Sequence, residues 1–151
     1  MRRSLLPTIA TCLVLTLPGM ASAAGTTADA VKYRKAVMDG LAAHMNAFMM
    51  LSTGRVDHPG HLKANADALA ALSEQIKAVF PTGSDQGDTK ALPLIWQDRT
   101  QFDEIMDKLA QSTAEMRDAV AANNKAGAMK AFKAAGESCK ACHDRYRKAD
   151  H

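Results

Sequence analysis

Residues 29–52, DAVKYRKAVMDGLAAHMNAFMMLS, decide the fold class. Val31, Met38, Leu41, Met45, Phe48 and Met49 return to one side of a helix, with charged and small residues between them. The segment holds no proline and no alternation of β-branched with polar residues, so a strand does not compete. Toward the C terminus, Gly54 and Asp57-His58-Pro59-Gly60 punctuate the chain. A second helical pattern follows, carrying Leu62, Ala66, Leu69, Leu72, Ile76 and Val79. The turn-rich stretch 81–88, PTGSDQGD, predicts one long connection. Pro93 stands near the start of a third helix with Trp96, Phe102, Ile105, Met106, Leu109, Met116 and Val120. After a break at Ala121-Ala122-Asn123-Asn124, a last helix presents Met129, Phe132, Ala135, Cys139, Cys142 and Tyr146 on one side.

No helix in this set can bury its apolar stripe alone, and packing all of them around one core is the economical solution. The predicted fold is therefore all-α, an antiparallel up-down-up-down four-helix bundle. The chain of 151 residues has room for one such domain, and its composition, 47% apolar but only 5% aromatic, favours helices over sheets.

Upstream of this domain, Arg2 and Arg3 precede the apolar run 5–17, LLPTIATCLVLTL, and Pro18-Gly19 ends it. Ala21-Ser22-Ala23 is a small-residue cleavage pattern, so residues 1–23 are predicted to be a secretory signal peptide and 24–151 the mature domain. The run falls short of the ~20 apolar residues a membrane span needs. Cys12 lies inside the run in a context unlike a lipid-anchor site, so no membrane anchor is expected. Cleavage removes Cys12 and two arginines, leaving two cysteines and 17 basic against 16 acidic residues. That near-neutral balance excludes nucleic acid as a partner. Export predicts a periplasmic location.

Cys139-Lys140-Ala141-Cys142-His143 carries the chemistry: C-x-x-C-H is the attachment pattern of c-type haem. Residues three and four apart share a helix face, so both thiols and the imidazole can serve one cofactor. The thiols would form thioethers with the two vinyl groups, and His143 would bind the iron from one side. A thioredoxin-like pair would open a helix in a βαβ setting, whereas this pair falls near the end of a helix in an all-α chain. A disulfide across one turn would constrain almost nothing. A zinc site lacks further ligands, because His44, His58, His61 and His151 are scattered.

The mature chain resembles the cytochrome c′ family, the class II c-type cytochromes, along essentially its whole length. Ala30-Val31-Lys32-Tyr33-Arg34, Ile95-Trp96 and the run from Ser138 to Arg147 around the C-terminal haem motif carry the resemblance. It implies a four-helix protein with one covalent haem c. It also implies that Arg34 lies near the haem, facing a propionate. In the five-coordinate members of this class an apolar side chain of the first helix covers the open side of the iron, which then binds small gases. In the low-spin branch a methionine of that helix coordinates the iron. Alignment on the shared opening puts Met38 at that position.

Met38 lies on the apolar stripe, and a thioether ligand raises the reduction potential and suits electron transfer. Met45 is the rival on the same face, and His44 is expected at the surface. The sequence thus predicts a one-electron carrier with His143 and Met38 on the iron. Its alternative is a high-spin cytochrome c′ that binds nitric oxide or carbon monoxide. An enzyme is not expected, because no His or Arg stands where a peroxidase would need one. From Asn124 onward, Lys125, Lys130, Lys133, Lys140, Arg145, Arg147 and Lys148 outnumber Glu137, Asp144 and Asp150. Such a patch would steer acidic periplasmic redox partner proteins. The assembly is expected to be a monomer or a homodimer.

Overall fold

A computed structural model describes residues 25–149; the expected signal peptide, residues 1–23, lies outside them. The helices are α1 (Thr27–Ser52), α2 (His61–Glu74), α3 (Leu94–Gln97), α4 (Arg99–Ala121) and α5 (Lys125–Tyr146). A 3-10 turn, Ile76–Val79, follows α2. A capping box starts α1: the Thr26 hydroxyl accepts from the Asp29 amide at 3.2 Å, and the Asp29 carboxylate accepts from the Thr26 amide at 3.0 Å. Gly60 caps α2 with φ of 79°, in the left-handed region that glycine enters without a steric penalty. Asn123, at φ 54°, turns the chain between α4 and α5, where the sequence predicts a break.

Two predicted helices are shorter than their apolar patterns. The second ends at Glu74, and Ile76 and Val79 reach the core from the tighter 3-10 turn. Pro81 disfavours helical backbone at Phe80 and forces the chain out. The third is interrupted at Asp98 (φ −121°, ψ 51°), which separates α3 from α4. No glycine or proline marks that interruption.

Contacts at one end set the directions of the helices. Arg34 and Lys35, near the start of α1, reach the connection after the 3-10 turn, at Ser84, Thr89 and Asp88. Arg99, which opens α4, donates to the carbonyls of Phe80 and Lys77 at 3.2 and 3.3 Å. Arg145 and Tyr146, which close α5, donate to Asp98. The start of α1, the end of α2, the start of α4 and the end of α5 therefore share one pole, and the bundle runs up-down-up-down as predicted.

The core is continuous from Val37, Leu41 and Phe48 through Leu69, Ile76 and Phe80 to Phe102, Met106, Met116 and Tyr146. α1 packs on α2, α2 on α4 and α4 on α5, but α1 and α5 hardly approach along their lengths. Phe48 stacks on Phe132 at 5.3 Å and joins those two helices. Among the described residues β structure amounts to an isolated Ala91–Arg147 bridge. In it the Leu92 amide donates to the Tyr146 carbonyl at 2.9 Å and Lys148 to the Lys90 carbonyl at 2.8 Å. The bridge ties the chain just beyond α5 to the segment leading into α3.

Candidate functional site

One broad apolar face runs along α5. On it Ala128, Ala131, Ala135 and Ser138 are buried, while Met129, Phe132, Cys139 and Cys142 are half-buried. This is the core-facing side that the sequence predicts, with burial deepest at the small residues. Small residues let α5 approach α4 closely, and Phe132 reaches across the wide seam to Phe48 of α1. Cys142 still packs against the apolar core.

Both cysteines are free. Burial pushes both thiols up, Cys142 to about 11, with its neighbour Cys139 adding to the effect. A redox-active Cys-x-x-Cys needs the opposite, a thiol pulled down toward neutrality. His143 is exposed as a residue. Partial desolvation first, then Arg147, holds its imidazole below the ordinary histidine range against the opposing pull of Asp144. At neutral pH the turn therefore offers a neutral imidazole, the form that binds iron, beside two thiols three residues apart. No group of three or more His, Cys, Asp or Glu that could hold a metal ion occurs among the described residues.

Across the wide seam stands Met38. It is half-buried and packs against the same core as Cys142, while its neighbour Val37 takes the deeply buried position. Met38 lies ten residues before Phe48 on α1, and Cys142 ten residues after Phe132 on α5. Each is about 15 Å from the stacked pair at helical rise. Because the helices are antiparallel, both displacements run the same way, which brings Met38 to about the level of Cys142. Met45 lies closer to the stacked phenylalanines, away from the level of the thiols. His44, expected at the surface, is half-buried against α2, its Nδ1 2.9 Å from the Asn65 side-chain oxygen.

Arg34 is 4% exposed, which rules out a solvated helix arginine. It donates to the Ser84 hydroxyl, the Ser84 carbonyl and the Thr89 hydroxyl, each at 2.8 Å. The guanidinium lies 5.0 Å from the Phe80 ring centroid and 5.9 Å from that of Trp96. Burial lowers its basicity but cannot remove the proton from a guanidinium. The structure thus places an internal cation at the pole of the bundle beyond the haem motif, held by neutral acceptors and aromatic faces.

The cationic face expected on α5 is more broken than its residue count implies. Lys133 pairs with Glu137 at 3.9 Å, Lys140 with Asp144, and Arg145 with Asp98 of α4 at 2.6 Å. The sequence gives no warning that Asp98 belongs to this region; an aspartate opening a helix reads as an N-cap. Two surface clefts, of about 380 and 500 Å³, lie elsewhere, between α4 and α5 near Ser112 and beside the start of α1 near Lys32. Neither is lined by Met38, Cys139 or Cys142. No helix among the described residues is long and apolar enough to cross a membrane.

Comparison with known proteins gives a consistent answer. A cytochrome c′ of Alcaligenes xylosoxydans is 33% identical over 80% of this chain and 94% of its own length. The solved cytochrome c prime of Shewanella frigidimarina superposes with a TM-score of 0.76 at 34% identity, covering 82% of this chain and 98% of that one. The nitric oxide complex of a cytochrome c prime variant from Alcaligenes xylosoxidans gives 0.74 at 32% identity, covering 82% and 97%. The family described as Cytochrome C′ matches residues 29–147, from the capped start of α1 to the bridge that closes α5. The chain accordingly belongs to the cytochrome c′ family, four-helix proteins that carry a single covalently bound haem c.

Proposed function

We propose that this protein is an exported, periplasmic one-electron carrier, with Cys139 and Cys142 as thioether anchors and His143 and Met38 as iron ligands. The observation that carries the reading is the level register of Met38 and Cys142 across the seam where α1 and α5 stay apart. Haem c, when attached, supplies a ferric/ferrous couple whose potential a Met/His ligand set raises. Cys139 and Cys142 would hold the cofactor to α5 as thioethers, each S–H adding across one vinyl group. His143 offers its neutral imidazole from α5, and Met38 its thioether from α1. With both iron positions filled by side chains the protein has no substrate site, and we assign it no catalytic residue. Arg34 lies at the pole beyond the motif, where its guanidinium would favour a negatively charged propionate. The lysines at the end of α5 would favour acidic redox partners.

A second reading has its own support. The nitric oxide complexes among the structural relatives favour a gas-binding protein, with Met38 crowding but not coordinating the iron. Optical spectra of the haem-loaded protein with and without carbon monoxide separate the two. The carrier is expected to be low-spin, with a thioether-to-iron band and no shift on adding the gas. Met38→Ala should then convert it to high-spin. A high-spin wild-type spectrum that shifts with carbon monoxide would overturn the electron-carrier reading in favour of gas binding.

A further inference from the structure

Asp98 occupies the N-cap position of α4, where a carboxylate ordinarily accepts from its own helix's first amides. It makes no such bond. Its Oδ2 instead accepts from Arg145 Nη2 at 2.6 Å and from the Tyr146 hydroxyl at 3.2 Å. These donors are the second and third residues after His143. Tyr146 is 1% exposed, four residues beyond Cys142 and so on nearly the same helix face. Its ring meets Phe102 edge-on at 5.5 Å, and Phe102 meets Phe80 in the same way at 4.9 Å. The Tyr146 carbonyl is tied in turn to the Leu92 amide, and the Arg147 amide closes the helix on the His143 carbonyl at 3.2 Å.

We propose that Asp98 is a positioning residue: by holding Arg145 and Tyr146 it fixes the rotation of the last turn of α5, and with it the direction of the His143 imidazole. The argument rests on the haem reading above. α5 closes tightly on α4 but stands off from α1, so rotation of its last turn is resisted mainly from the α4 side. A hydrogen bond from a buried ring one turn past Cys142 acts against that rotation. The interrupted backbone at Asp98 turns its carboxylate away from its own helix and toward α5.

The test compares Asp98→Asn, Tyr146→Phe and the double variant in the full-length haem-loaded protein. Asp98→Asn removes charge and keeps size; Tyr146→Phe removes the hydroxyl and leaves every charge. Positioning predicts that both single variants keep covalent haem and fold, yet both change the iron–histidine vibration and shift the midpoint potential. The double variant should shift no further than Asp98→Asn, because both changes break one link. A shift of about 59 mV would correspond to a tenfold change in the ferric-to-ferrous ratio at fixed potential. Amide exchange at Arg147 and Leu92 should quicken in all three. The proposal is overturned if only melting temperature falls while vibration and potential stay as in the wild type. It is equally overturned if Asp98→Asn alone shifts the potential, since that marks a direct effect of charge. A purified wild type without covalent haem would instead defeat the reading on which the proposal rests.

Discussion

α5 has two seams, and they are built differently. Against α4 it presents Ala128, Ala131, Ala135 and Ser138, and its lower end is bonded to Asp98. Toward α1 it presents Phe132, whose ring stacks on Phe48 and joins the two helices. The first seam is close; across the second the helices stand farther apart and the Phe48–Phe132 stack spans the distance. Side-chain size divides the two, with small residues on the close seam and paired rings across the wider one.

The sharpest way to break this contrast is to remove the stack. Phe48 is fully buried, and Phe48→Ala should cost about 3–5 kcal/mol in denaturant unfolding, with the loss of its stack on Phe132 opening the wide seam further. Unchanged stability would mean that the stack on Phe132 contributes nothing to holding α1 in place. Overfilling the narrow seam should cost less. Ala131→Leu is expected to lose about 1–3 kcal/mol, because the added side chain pushes α5 from α4 or strains its rotamers. A neutral or stabilising result would show that the small-residue stripe is not what sets the spacing.

The smallest effect concerns the first turn of α1, which depends on its own capping box. The Thr26 hydroxyl, then the Thr26 amide, hold the Asp29 carboxyl below its ordinary 3.8. A depressed carboxyl stabilises the fold fully above its unfolded value and loses that contribution as pH falls through the lower folded one. Wild type and Thr26→Ala should therefore differ by a small, constant margin in melting temperature above about pH 5. The margin should shrink on acidification below the ordinary carboxylate range. A margin independent of pH down to full protonation would show that the bond from the Thr26 hydroxyl to the Asp29 carboxylate, at 2.7 Å, contributes nothing.

Helix existence was legible because it is a local property. The stripes of α1 and α5, the break at Asn123-Asn124 and the long connection after Phe80 all follow from spacing and turn chemistry. Boundaries were less legible. The apolar pattern of α2 continues through Ile76 and Val79 because a 3-10 turn also brings those residues to the core, so burial pattern and helix type part company there. The interruption at Asp98 has no local mark, and its side chain is bonded to residues far away in sequence, on α5. His44 was misread for a related reason: its polar ring is satisfied by Asn65, a partner on another helix.

Taken alone, then, the sequence determined the all-α class, the antiparallel order of the bundle and the haem motif at Cys139, Cys142 and His143. The class and the motif depend on neighbours within a few turns, where periodicity and motif spacing are informative, and the antiparallel order follows from packing the resulting stripes around one core. The tertiary structure decided which seam of α5 closes and which stays wide. It set the level match of Met38 with Cys142, the burial of Arg34 among Ser84, Thr89, Phe80 and Trp96, and the commitment of Asp98 to α5. Those outcomes depend on which residues meet after the chain has doubled back three times, and a single linear pattern does not encode such meetings.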